Sequence, residues 1–150
     1  MAECSRSTQT GMTLIEVLVS VLILAIGLLG AAAIQLNALK YTDSSRISTQ
    51  ASFIAYDMMD RIRANPDANY GLTSLSSAPT DGNLANPRTQ DLFDFGTAVT
   101  AMGGAHAGAT IAVDKQVVTI TITWNDSRAA NVDNTMQQFK LTSRVAVTPL

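Results

Sequence analysis

GMTLIEVLVSVLILAIGLLG, residues 11–30, is the stretch on which the reading of this chain turns. It opens an apolar run that is long enough to enter a membrane, yet Glu16 sits inside it. From Val17 to Ile34 there are 18 residues without a charge, interrupted only by Ser20, Gly27 and Gly30. As a helix that run spans roughly 27 Å at ~1.5 Å per residue, close to the ~30 Å of a hydrocarbon core. Thr13 and Glu16 also fit the capping-box pattern, in which each side chain satisfies an orphan backbone N–H at a helix start.

The run differs from a secretory signal peptide. Its apolar core is too long, and the stretch before it carries only Arg6, offset by Glu3. Small residues follow at Ala31–Ala33, but no turn signal does, so the helical pattern runs on through that point. Charge orients the segment weakly, because Arg6 lies on one side and Lys40 and Arg46 on the other.

Beyond Leu39 the chain becomes polar but stays helical in period. Ile47, Ala51, Ile54, Ala55, Met58 and Ile62 form one apolar stripe, and Asp57 and Arg61 make an i,i+4 pair on another face. Asn65-Pro66 ends the pattern, since the residue before proline avoids the α region. One helix of about 54 residues, roughly 80 Å long, is expected from Met12 onward. Its first half is apolar all round and its second half amphipathic.

Residues 66–90 read as an irregular loop, with turn signals at DGN (81–83) and ANP (85–87). A short helix is expected over Asp91–Met102, broken by GGAHAG (103–108). The period then changes to two. In KQVVTITITW (115–124), Val118, Ile120, Ile122 and Trp124 alternate with threonines, as in a half-buried antiparallel strand. NDSRAANVDN (125–134) reads as a loop. The next strand places Phe139, Leu141, Val145 and Val147 on one face, with Lys140, Thr142, Arg144 and Thr148 opposite; a shorter strand, Thr110–Val113, precedes both. Such a sheet needs a cover, and the stripe on the long helix supplies one. The expected fold class is α+β, a long N-terminal helix packed on an antiparallel sheet of three to four strands.

Composition narrows the function. The chain has 150 residues, 10 basic and 12 acidic, for a net charge of −2, and no Lys/Arg block suited to nucleic acid. Its one cysteine, Cys4, leaves no cysteine pair for a disulfide or a thiolate-metal site in the body of the protein. His106 stands alone in a glycine-rich stretch, without a second His or Cys to make a zinc site. Asp57, Asp60, Arg61 and Arg63 read as a solvated helix face with local ion pairs. Asn125-Asp-Ser127 matches a glycosylation sequon of a kind that arises by chance. No nucleophile elbow, phosphate loop or HExxH is present, so no enzyme, cofactor, metal or small-molecule substrate is expected.

GMTLIEVL (11–18) followed by an apolar helix resembles the class III signal of type IV pilins and pseudopilins. AIGLLGAAAIQLNALK (25–40), AYDMMDRIRANPDANYG (55–71), ITITWND (120–126) and QQFKLTSRVAV (137–147) are similar to segments of the PilV-type minor pilins. The resemblance implies cleavage by a prepilin peptidase between Gly11 and Met12 and N-methylation of Met12, although Met12 stands where the family usually has Phe. Residues 1–11 would then be the leader and 12–39 the membrane or filament-core half of the helix. Residues 40–65 would be its amphipathic half, 66–108 a loop region with a short helix, and 109–150 the sheet of the head.

On the same footing, Glu16 would pair with the α-ammonium of Met12 on a neighbouring subunit, a role that can coexist with the capping box. Gly27 and Gly30 would serve close helix packing or local unwinding. The implied role is a minor pilin that helps initiate a type IV pilus and form its tip. The alternative is a pseudopilin of a type II secretion or DNA-uptake system. Implied partners are other minor pilins, the major pilin, a tip adhesin, the prepilin peptidase and the inner-membrane assembly platform. The implied location is the inner membrane with a periplasmic head, then the pilus.

Overall fold

A computed structural model of the chain describes residues 12–130 and 135–145. Helix α1 runs Leu14–Ala64, helix α2 Pro87–Gly103, strand β1 Gly108–Asp114, strand β2 Val117–Asn125, helix α3 Ser127–Ala130 and strand β3 Met136–Arg144. Short 3-10 turns cover Leu75–Ser77 and Gly104–His106. The chain divides into two compact units after Leu39.

In the first unit, every described residue of α1 is exposed, including Leu14, Leu22, Leu29 and Leu36. Leu14–Ala64 is long and apolar enough to cross a membrane by length and composition.

In the second unit, the rest of α1 buries Ile47, Ala51, Ala55, Met58, Met59 and Ile62. These join Ile111, Val118, Ile120, Ile122 and Trp124 of the sheet, and Leu92, Phe95 and Val99 of α2, in one core. Helix and sheet therefore share a core, as the stripe predicts; Met59 is buried alongside it. The three strands are antiparallel in the order β1-β2-β3. Ile120 faces Ile111 on one side and Leu141 on the other. A single bridge from Leu72 adds to the β1 edge, where its N–H donates to Ile111 O at 2.9 Å and its carbonyl accepts from Ile111 N at 2.8 Å. The outward threonines meet too, with the hydroxyls of Thr119 and Thr142 3.1 Å apart.

Two local readings need correction. The first is the start of α2, which begins at Pro87 rather than Asp91. Asn86-Pro87 opens a helix, whereas Asn65-Pro66 ends one. Proline is tolerated at the first helical position, and the Asn86 side chain caps the turn by accepting from Thr89 N at 3.2 Å. Gly104 closes the same helix at φ 66°, a conformation open to glycine.

The second correction is the stretch after β2, which holds the short helix α3 where a loop was expected. Asn125 Oδ1 accepts from Ser127 N at 2.9 Å, and Asp126 O accepts from Ala129 N at 3.0 Å, which curls the chain into a turn. Residues 131–134 and the predicted positions Val147 and Thr148 lie outside the described residues.

Ile120 has no exposed surface, so Ile120→Ala should destabilise the second unit by about 2–5 kcal/mol. Val113→Ala, at a side chain 45% exposed, should stay within about 0.5 kcal/mol. Urea unfolding in detergent, followed through the single tryptophan, Trp124, reads both.

Candidate functional site

The sequence singles out the N-terminal end of α1. Gly11 lies outside the described residues, and Met12 is 72% exposed just before the helix. The Thr13 carbonyl accepts from Glu16 N at 3.0 Å and from Val17 N at 3.3 Å, which closes the first turn. The reciprocal side-chain bonds of a capping box do not form between Thr13 and Glu16. The backbone alone makes the start.

Glu16 is exposed in that first turn, where the helix dipole favours an anion. Its backbone carbonyl accepts from Ser20 Oγ at 2.7 Å. Its carboxylate has no hydrogen-bond or ion-pair partner among the described residues. Gly27 and Gly30 lie further along, within unbroken helix, and a Cβ at either would meet no atom within 4 Å.

A second constellation was only partly legible. The Asp57–Arg61 pair forms at 2.9 Å as expected, but Arg61 also donates to Asp91 at 2.9 Å and to Asp94 at 3.1 Å. Tyr70, fully buried, donates its hydroxyl to Asp91 at 2.7 Å and accepts from Asn65 Nδ2 at 3.3 Å. Gln90 Nε2 donates to Asp94 at 2.8 Å. Arg61 is thus a cross-link between α1 and α2 rather than part of a merely solvated face. Donation to Asp91 first, and then its bonds to Asp57 and Asp94, hold the Arg61 guanidinium above its ordinary value against an opposing effect of burial. Asp91 and Asp94, three apart on one helix, were the available signal.

Arg63 donates to Asp60 at 2.8 Å and to Ser143 Oγ on β3 at 2.8 Å. Asp126, buried between β2 and α3, accepts from Ser44 Oγ at 2.7 Å, so the turn after β2 is also tied to α1. His106 is exposed in its 3-10 turn. Among the described residues no group of three or more His, Cys, Asp or Glu is placed to hold a metal ion.

The geometry therefore defines an exposed apolar helix with one carboxylate in its first turn, and a separate packed α+β unit. Residues 6–32 match the family model described as the prokaryotic N-terminal methylation motif. Comparison with curated proteins finds no match, and comparison with solved structures finds none. The motif indicates a type IV pilin-like or pseudopilin protein, and the apolar half of α1 fits the membrane anchor of such a protein. That class is structural rather than catalytic, and it assembles with components of pilus or secretion machinery.

Burial first, and then the bond to Asp91, raise the Tyr70 phenol above its ordinary 10.0. The folded chain holds this proton more tightly than the unfolded one, so Tyr70 contributes fully below pH 10.0 and its contribution is lost as pH rises through the folded value. Tyr70→Phe should cost about 1 kcal/mol near neutrality. It should also flatten the alkaline loss of stability and remove one late tyrosinate step from the ultraviolet titration.

Proposed function

We propose that the chain is a minor pilin of the PilV type, a structural subunit that helps initiate a type IV pilus and form its tip. The single observation that carries the reading is the methylation motif at residues 6–32, with Glu16 exposed and, among the described residues, without a side-chain partner at the head of an apolar helix. GLLGAAAIQL (27–36) and AYDMMDRIRANP (55–66) favour this branch by resemblance.

The mechanism is assembly. Cleavage after Gly11 frees the α-ammonium of Met12. The apolar half of α1 holds the subunit in the inner membrane, with the packed unit in the periplasm. Extraction into the filament exchanges lipid for the helices of neighbouring subunits. Both charges leave water in that exchange, and an unpaired one costs several kcal/mol, so Glu16 opposite a neighbour's Met12 sets the axial offset. Gly27 and Gly30 lack side chains that would hold neighbouring helices apart.

The partners are other minor pilins, the major pilin and a tip adhesin, acting with the prepilin peptidase and the inner-membrane assembly platform. A pseudopilin of a type II secretion or DNA-uptake system would share the same motif; neighbouring genes separate the two.

Glu16→Ala should leave the chain folded and membrane-bound but remove it from sheared filaments. Losing the pair costs about 3–5 kcal/mol, a factor of a hundred or more in incorporation. Quantitative blotting of the filament and membrane fractions checks this; undiminished incorporation would contradict it.

A further inference from the structure

The two edges of the sheet are treated differently. The β1 edge is closed at Ile111 by Leu72, which uses both backbone groups there. The β3 edge has β2 on one side and, among the described residues, no strand on the other. It runs Met136–Arg144, long for an edge strand that a protein keeps to itself.

The core also stops short beneath it. Ile120 and Ile122 on β2 have no exposed surface, whereas their β3 partners Leu141 and Phe139 are only half-buried. Met136, at the start of β3, is 52% exposed. A further strand beside β3 would continue the sheet and cover Phe139 and Leu141 with its own inward side chains.

Charge selects the occupant. Met136–Arg144 carries Lys140 and Arg144 and no acidic residue. Both cations are exposed and have no ion-pair partner among the described residues, and both stand on the outer face, opposite Thr121 and Val117 of β2. Lys140 is also the central residue of the strand. A second copy paired antiparallel about that centre would set Lys140 against Lys140 at about 5 Å, and like charges placed so repel. An acidic strand would meet attraction at both positions.

We propose that the β3 edge takes up an extended segment of another polypeptide, apolar toward Phe139 and Leu141 and acidic toward Lys140 and Arg144, adding a fourth strand by backbone pairing. This docking surface goes beyond the helix-borne assembly of the preceding reading and does not depend on Glu16.

The test uses the full chain in detergent micelles and three synthetic peptides about as long as β3. One alternates valine with glutamate, one alternates valine with lysine, and one is the glutamate peptide with a central proline. Backbone hydrogen exchange is the readout. The glutamate peptide should slow exchange over Gln137–Ser143 by roughly tenfold or more, and the other two should not. Added salt should weaken the effect. The double variant Lys140→Glu, Arg144→Glu should reverse the preference to the lysine peptide.

Absence of protection on β3 with the glutamate peptide, or equal protection with both charged peptides, would overturn the proposal. So would protection of Gln137–Ser143 in the unaltered chain that rises with its own concentration in the absence of peptide, because the edge would then be taking a second copy.

Discussion

The face of α1 that carries Ile47, Ala51, Ala55, Met58 and Ile62 has to be kept from water, and the sheet and α2 are what keep it so. Sheet and helix α2 depend on that face in turn. Three strands with one apolar side do not hold alone, and α2 by itself offers little more than Leu92, Phe95 and Val99. Around the shared core the polar contacts act as ties. Arg61 fixes α1 to α2, Arg63 reaches β3, and Ser44 holds the turn after β2 through Asp126. None of these needs a large energy of its own. Each orders a surface that the core has already brought close.

In the other unit the apolar side chains of α1 find no such cover among the described residues, which suits them to lipid or to other helices. Glu16 is the exception in the segment, the one carboxylate in an apolar run. In the first turn it has the helix dipole and water to stabilise it. Packed among apolar helices it would have neither water nor a cation of its own segment. In the assembly proposed above, a free amine at Met12 of a neighbouring subunit, created by removing the leader, would answer that need.

Much of this was legible in the sequence because periodicity and burial are directly linked. The stripe over Ile47–Ile62 and the alternation in VVTITITW (117–124) are read from side-chain order, and the structure buries the residues that order selects except Ile54, which is half-buried at the margin of the core. Asn86-Pro87 was misjudged because the same dipeptide marks a helix end or a helix start, depending on whether an apolar pattern precedes or follows it. The reach of Arg61 to Asp91 and Asp94 was missed because it joins residues about thirty apart, and pairing over such distances is set by packing rather than by local spacing. At the N-terminal site the pattern marked Thr13 and Glu16 as a capping box, yet among the described residues the first turn closes through the backbone of Thr13 and the Glu16 carboxylate takes no part. The role given to Glu16 rests on chemistry between subunits, which no single chain displays.

Mass spectrometry of the mature N-terminus, in a host with an active prepilin peptidase, tests the central claim most directly. The account predicts a chain that begins at Met12 and carries one methyl group on its α-nitrogen. A chain that still holds residues 1–11 in the same host would contradict it.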